Sequence, residues 1–183
     1  MLNKDYREML QCLLEENVRF LLVGAYALAV HGFPRATKDI NFFVWATPEN
    51  ANKLVRALAR FGAPLQDISE SDFSTAGTVF QIGNSPRRID ILTNISGIQF
   101  EQAYVNRKNI FLEGLEIPVI SVSDLIANKR ASGRSQDLAD VEKLNRHQSG
   151  DDAERHSLSV AVADRTIRAH LDFVVQFGTS TKG

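Results

Sequence analysis

The sequence predicts a protein of the α/β (α+β) class, in which short strands alternate with helices. Short apolar runs that end at turn residues, such as RFLLVG and DINFFVW, indicate buried strands. Apolar residues at three- and four-residue spacing indicate helices, the first of them over residues 4–16. A strand, a glycine turn and a helix follow one another at residues 19–32, which is typical of a sheet covered by helices.

Length, composition and charge restrict the classes of protein that the chain can belong to. At 183 residues it fits one domain with an appendage, and we expect a domain over residues 1–147 followed by a linker and C-terminal extension over residues 148–183. Hydrophobic residues make up 44% and charged residues 23%, which excludes disordered and collagen-like classes. The net charge of -1 gives no global basic field, so a polyanionic partner would need a local patch.

Cysteine content and apolar runs predict the compartment. Cys12 is the only cysteine, so no internal disulfide forms, and the N-terminus lacks a signal-peptide pattern. The longest apolar run, at residues 20–30, is shorter than the roughly 20 residues that a membrane span needs. We therefore expect a cytoplasmic protein without a membrane-spanning segment.

The first half of the chain predicts two strands and two further helices. RFLLVG is predicted as a strand that stops at Gly24, and AYALAVHG as a short helix that ends at Gly32. DINFFVW predicts the second strand. Pro48 begins the next helix, with Thr47 as its N-cap, and Gly62 ends it.

The second half predicts two hairpins and two helices. TVFQIG and RRIDILTN, separated by NSP, predict one hairpin, and RKNIFLEGLEIPVI predicts another that turns at Gly114. SDLIANKRASG and SQDLADVEKLNRH predict helices separated by Gly133 and capped by Ser123 and Ser135. Residues 148–156 are polar, as in a linker, and LSVAVADRTIRAHLDFVVQF predicts one more helix or a strand and a helix.

Three polar residues interrupt the apolar runs of two predicted strands. Asp39 and Asn41 are two apart, so they lie on one face of their strand, and Asp90 occupies a similar position in RRIDILTN. A charge in a buried strand is costly unless it is paired or binds a metal, which favours convergence of the two acids. The residues alone leave open a simpler interpretation, in which Asp39 caps a turn and Asp90 pairs with Arg87 or Arg88.

The order of these features resembles the nucleotidyltransferase fold of the DNA polymerase beta superfamily. That fold has a glycine turn at a helix start, then a strand with Asp and a second carboxylate or amide, then a third acid in a further strand. More narrowly, FLLVGAYALAVHGFPRATKDINFFV, RRIDILT and IPVISVSDLIANKRASGRSQDLADVEKL resemble small bacterial nucleotidyltransferases related to the toxins of abortive-infection toxin-antitoxin pairs, over residues 18–146. The resemblance implies a mixed sheet flanked by helices, with a helical C-terminal portion.

The resemblance also implies a reaction and a role for each matched residue. An NMP would move from an NTP onto a hydroxyl of RNA, protein or a small molecule, and an antitoxin would be a partner. Asp39, Asn41 and Asp90 would form the catalytic centre and hold Mg²⁺ or Mn²⁺. The residues implied to bind the nucleotide are Gly24, Ala25, Arg35, Thr37, Lys129 and Asp140, with Asp137 as an alternative to Asp140.

Two positions depart from the pattern of that family. Ala25 stands where a second Gly or a Ser is common, which removes a hydroxyl but keeps the backbone N–H. Asn41 stands where the second metal-binding carboxylate is expected, and a neutral amide bridges two metal ions poorly. We therefore predict that nucleotide binding is retained and that transfer is strongly reduced.

Two other functions remain open at this point. In the first, Asn41 abolishes the chemistry, and the protein is a nucleotide-sensing or partner-binding module; an engineered substitution would look the same. In the second, the two helices around Gly133 form a DNA-binding helix-turn-helix that uses basic residues such as Lys129. The simplest interpretation of Lys129 is a solvated helix face, and that of Arg35 is a surface loop.

Overall fold

The structure is a computed structural model that describes residues 2–84 and 86–150. The helices are α1 (Lys4–Glu15), α2 (Gly24–Val30), α3 (Pro48–Phe61), α4 (Glu70–Phe73), α5 (Phe100–Val105), α6 (Val122–Ser132) and α7 (Ser135–Gly150). The strands are β1 (Phe20–Val23), β2 (Asp39–Val44), β3 (Val79–Ile82), β4 (Arg88–Leu92), β5 (Lys108–Leu112) and β6 (Leu115–Val119). The C-terminal element predicted within residues 157–183 lies outside the described residues.

The six described strands form one mixed sheet in the order β3-β4-β2-β1-β6-β5. β2 pairs in parallel with β4, and β1 pairs in parallel with β6, whereas β1 and β2 are antiparallel. The two outer pairs, β3–β4 and β5–β6, are the two predicted hairpins, and both are confirmed. Glu113 and Gly114 turn the second hairpin with φ values of 51° and 82°, as in a two-residue type I′ turn.

The core lies against the central strands β1 and β2. Every residue of β1 is buried, and in β2 the apolar residues are buried while Asp39 and Asn41 are half-buried. α1 and α3 pack together, and α3 begins after the predicted Thr47 N-cap and ends before Gly62 in the left-handed conformation. Within residues 2–84 and 86–150, no helix has both the length and the apolar character that a membrane crossing requires.

The start of α6 differs from the prediction. Ser121, not Ser123, is the N-cap, and its Oγ accepts a hydrogen bond of 3.1 Å from the backbone N–H of Asp124. Ser123 already lies inside the helix, because α6 begins at Val122. In the sequence, the apolar Val122 looks like the end of the preceding strand. Ser135 likewise is the first residue of α7 rather than its cap. The short helices α4 and α5 were not predicted.

Candidate active site

Four side chains on two neighbouring strands form one wall of the candidate site, and we call this wall the β2–β4 face. The strand register places Asp39 beside Arg88 and Asn41 beside Asp90. Residues two apart in a strand share a face, and directly paired residues of a parallel sheet point the same way, so all four project from one side. The structure therefore brings Asp39, Asn41 and Asp90 together, with Arg88 among them.

Arg88 bridges the two carboxylates of the β2–β4 face. Its Nε donates to Asp90 Oδ1 at 2.7 Å, and its Nη2 donates to Asp90 Oδ2 at 2.9 Å and to Asp39 Oδ2 at 3.0 Å. The two bonds to Asp90 form a bidentate pair, which is the strong geometry for guanidinium and carboxylate. These hydrogen bonds to Asp90 raise the pKa of Arg88 although burial opposes the shift, so the guanidinium is a permanent positive charge.

Thr37 and Gly24 fix the remaining parts of this face. Thr37 Oγ1 donates to Asp39 Oδ1 at 2.6 Å, which orients the carboxylate. Gly24 begins α2 with a φ of 70°, and a Cβ built there would lie 3.1 Å from Asn41 Nδ2. The Asn41 amide thus packs directly against the backbone of the glycine turn, and it has no hydrogen-bond partner among residues 2–84 and 86–150.

Replacing Gly24 with alanine is expected to lower the free energy of unfolding by about 2 kcal/mol, since strain at positive φ adds to the contact with Asn41. Gly133→Ala is the matched control. Gly133 has a φ of 66°, but a Cβ there would meet nothing within 4 Å, so only the backbone strain of about 1 kcal/mol should appear. Urea denaturation gives the free energy of unfolding of both variants. Equal losses would show that the contact between residue 24 and Asn41 adds no destabilisation.

An ion cluster centred on the buried Lys129 forms a second wall of the site. Lys129 is 3% exposed, and its Nζ donates at 2.8 Å both to Asp137 Oδ1 and to Asp140 Oδ2. Arg35, in the segment before β2, donates from Nε to Asp140 Oδ2 at 3.2 Å. Arg134 at the rim donates from Nε to Asp137 Oδ2 at 2.7 Å. These five residues, which we call the Lys129 cluster, join α6 and α7 to the segment before β2.

The structure assigns Lys129 to neither of the two simple positions considered from the sequence. It is not on a solvated helix face, because it is buried between two carboxylates. It is also unavailable to a DNA-binding surface of the kind that a helix-turn-helix would need. Arg35 is partly buried and paired with Asp140 rather than free in a loop, and its side chain is 26% exposed.

Asp137 makes the Lys129 cluster sensitive to acid. Burial opposes ionisation, but hydrogen bonds from Lys129, Ser132 and Arg134 lower the pKa of Asp137 from its usual 3.8 to about 2. Because the pKa is lower in the folded protein, the unfolded chain binds a proton first as the pH falls. The stabilising contribution is therefore complete above pH 3.8 and is lost as the pH falls through about 2.

Lowering the pH from 6 to 2 is expected to reduce the free energy of unfolding by about 1 to 2 kcal/mol through this carboxyl group alone. The measurement is urea denaturation across that range for the wild type and for Asp137→Asn, which lacks the group. The exposed Asp67 supplies the control variant Asp67→Asn, which should keep the wild-type slope. A slope that is the same in Asp137→Asn and in the wild type would contradict the assignment.

The β2–β4 face and four of the five residues of the Lys129 cluster line one cavity of about 600 Å³. The sequence-predicted residues that line it are Gly24, Ala25, Arg35, Thr37, Asp39, Asn41, Asp90, Lys129 and Asp137. Asp140 does not line it and instead holds Lys129 and Arg35. The lining residues that the sequence analysis did not identify include Asn94, Ser96, Asn128 and Arg134. Asn128 Nδ2 donates to Ser96 O at 2.9 Å and so fixes the loop after β4 against α6.

The oxygen donors of the cavity determine which metal arrangement fits. No cluster of three or more His, Cys, Asp or Glu suited to a metal ion occurs in the part of the chain that the structure describes. Asp39 and Asp90 supply two carboxylates, and Asn41 supplies a neutral amide oxygen. This set fits one Mg²⁺ that shares its shell with substrate phosphates, because Mg²⁺ in such sites uses one or two carboxylates. It does not provide a third carboxylate to bridge two ions.

Comparison with solved structures gives the fold. A protein described as a nucleotidyltransferase from Thermotoga maritima is 15% identical, with a TM-score of 0.52 over 82% of this chain and 96% of that chain. The lincosamide antibiotic adenylyltransferase LnuA, solved with lincomycin bound, is 14% identical, with a TM-score of 0.50 over 79% of this chain and 97% of that chain. The predicted nucleotidyltransferase fold is thereby confirmed, as a mixed sheet with helices.

Comparison of sequences gives the family. No curated protein matches the chain. Residues 2–177 match the family described as "Nucleotidyl transferase of unknown function (DUF2204)". That match covers nearly the whole chain, including the strand residues Asp39, Asn41 and Asp90 and the helix residue Lys129. The chain therefore belongs to this nucleotidyl transferase family.

Proposed function

We propose that the protein is a metal-dependent nucleotidyltransferase that moves an NMP from an NTP onto a hydroxyl, with turnover reduced by Asn41. One observation carries the proposal: the two strand carboxylates and Lys129, with its ion partners, line the same cavity. Its volume of about 600 Å³ is in the range of small-molecule sites. The family and the fold support nucleotide transfer in general terms.

The two walls of the cavity suit the two parts of a metal-nucleotide substrate. Asp39 and Asp90, with the Asn41 amide oxygen, would hold Mg²⁺ or Mn²⁺. Such an ion polarises a phosphoryl oxygen and lowers the pKa of an acceptor hydroxyl. Thr37 keeps Asp39 oriented through its 2.6 Å hydrogen bond, so this carboxylate is ordered before the substrate arrives.

The cationic side chains of the other wall would attract the triphosphate. The Lys129 cluster contains three cations, Lys129, Arg35 and Arg134, and two carboxylates, so its net charge is positive. Arg134 is 79% exposed and Arg35 is 26% exposed, so both can turn toward phosphate oxygens. Lys129 lines the cavity and, held by Asp140, contributes a fixed positive charge. Gly24 and Ala25 would let the phosphates approach the backbone closely.

The acceptor would be a hydroxyl of RNA, a protein or a small molecule, in the cytoplasm. LnuA, which shares the fold, is a lincosamide antibiotic adenylyltransferase, so a small-molecule acceptor belongs in the test. An antitoxin protein is the partner that the sequence resemblance implies. The Asn94, Ser96 and Asn128 side of the cavity offers polar groups to an acceptor.

The experiment incubates the full chain with each labelled NTP, Mg²⁺ or Mn²⁺, and in turn total RNA, total protein and a panel of hydroxylated small molecules including lincomycin. We expect calorimetry to detect Mg-NTP binding and label to appear slowly in one acceptor class. Asp39→Asn and Asp90→Asn should lose the transfer. Absence of binding for every NTP would overturn the proposal.

A nucleotide-binding protein without transfer activity is the second candidate. It is favoured by the Arg88 contacts to Asp39 and Asp90, which occupy the carboxylates that the chemistry needs. In that case NTP binding would be measurable, but no label would move in the wild type. Transfer by the wild type would exclude this candidate, whereas transfer by Asn41→Asp alone would show that the amide of Asn41 removes the activity.

A further inference from the structure

We propose that Arg88 is an internal cation that competes with the divalent metal for Asp39 and Asp90, so that the metal enters only as the guanidinium leaves. The inference rests on the proposed function, because it concerns the same carboxylates. It assigns Arg88 a positioning role that the family resemblance did not include.

The carboxylate oxygens of Asp39 and Asp90 are already occupied by hydrogen bonds. Both oxygens of Asp90 accept from Arg88, one oxygen of Asp39 accepts from Arg88, and the other accepts from Thr37. Every carboxylate oxygen on the β2–β4 face thus already has a donor. A metal ion bound to these oxygens would lie within a few ångströms of the guanidinium nitrogens, where two cations repel strongly. Metal and Arg88 therefore exclude each other from this position.

The net charge of the β2–β4 face also disfavours a free divalent ion. Two carboxylates and one guanidinium leave a single net negative charge, because Asn41 is neutral. A third carboxylate at position 41 would leave two. Arg88 and Asn41 thus act in the same direction, and both lower the affinity for a free divalent ion. A metal that arrives with a triphosphate brings its own anionic ligands, so the joint complex is favoured over the free ion.

The Arg88 side chain has space to move away from the carboxylates. Both Arg88 and Asp90 line the cavity, but the Arg88 side chain is 33% exposed whereas that of Asp90 is buried. A guanidinium that leaves the carboxylates stays within reach of the cavity interior. There the phosphate oxygens of a bound nucleotide can accept its hydrogen bonds bidentately. Arg88 would therefore exchange one anionic partner for another during substrate binding.

The experiment is a titration of the full chain with Mn²⁺ alone, followed by electron paramagnetic resonance of the free ion. Arg88→Gln is expected to bind Mn²⁺ about 10- to 100-fold more tightly than the wild type, since charged hydrogen bonds of this kind must be broken before the ion binds. Arg88→Lys, which keeps the charge but not the bidentate geometry, should fall between them. Arg87→Gln is the matched control, because it removes the same charge from an exposed neighbour, and its affinity should equal that of the wild type.

A second readout follows Arg88 directly in the wild type. The Arg88 Nε–H proton that donates to Asp90 should give a shifted NMR signal. Saturating concentrations of Mg²⁺ and a non-hydrolysable NTP analogue should move that signal. An Mn²⁺ affinity that is unchanged or weaker in Arg88→Gln would overturn the inference, even if the NTP assays succeed. Tighter Mn²⁺ binding without any NTP binding would support the competition while the proposed function fails, so the two failures are distinguishable.

Discussion

Replacing Asn41 with aspartate is expected to raise the rate of nucleotide transfer by about 10- to 100-fold, because it adds a third carboxylate that can bridge two metal ions. Asn41 lies beside Asp90 in the strand register and shares a face with Asp39, so the new carboxylate would join the other two. The side chains are nearly the same size, and the contact with Gly24 is therefore preserved. The measurement is kcat/KM as a function of Mg²⁺ concentration, and the concentration for half-maximal activity should fall.

The same change should make the metal-free protein less stable. A third carboxylate places like charges next to one another, and Arg88 already has its hydrogen bonds committed to Asp39 and Asp90. Added Mg²⁺ should therefore raise the melting temperature of Asn41→Asp more than that of the wild type. This readout is independent of the acceptor.

Asn84→Asp is the control for Asn41→Asp. Asn84 is exposed between β3 and β4 and does not line the cavity, so it adds an equal charge without adding a ligand beside Asp90. We expect little gain in transfer from that variant. Equal turnover in the wild type and in Asn41→Asp would contradict the proposed effect of the amide.

The arrangement of the β2–β4 face could be predicted from the sequence only in part. The period of two in a strand places Asp39 with Asn41 and Arg88 with Asp90, and this can be seen without coordinates. That Asp39 stands opposite Arg88 depends on the register of two strands separated by almost fifty residues, which no local pattern fixes. The convergence of the acids was therefore an expectation, and pairing of Asp90 with Arg88 was one of the alternatives, but the additional contact of Arg88 with Asp39 was not predicted.

The burial of the Lys129 cluster could not be predicted from the sequence. The sequence identified Lys129 with either Asp137 or Asp140, but only by resemblance, and the helical pattern of these residues is equally that of a solvated surface. Whether they are buried depends on how α6 and α7 cross at the glycine turn, which is a property of tertiary packing. α4 and α5 were missed for a simpler reason, since helices of four and six residues are too short to show a period.

The buried position of Lys129 makes its loss costly to the stability of the fold. Its ammonium group is the shared partner of two carboxylates that are themselves almost fully buried. A buried pair contributes little net energy when intact, because desolvation offsets the attraction, but removing one partner leaves an uncompensated charge. Asp137 would keep Ser132 and Arg134, and Asp140 would keep the partly exposed Arg35.

Replacing Lys129 with methionine is accordingly expected to lower the free energy of unfolding by about 3 to 5 kcal/mol, measured by urea denaturation at pH 7. Lys143→Met is the matched control, since Lys143 lies exposed on α7 and the same substitution there should cost less than about 1 kcal/mol. Adding Asp140→Asn to Lys129→Met removes the stranded charge and should recover part of the loss, because the penalty comes from the charge and not from the shape of the cluster. If Lys129→Met were no less stable than Lys143→Met, the charge of Lys129 would not be what holds α6 and α7 together beside the cavity.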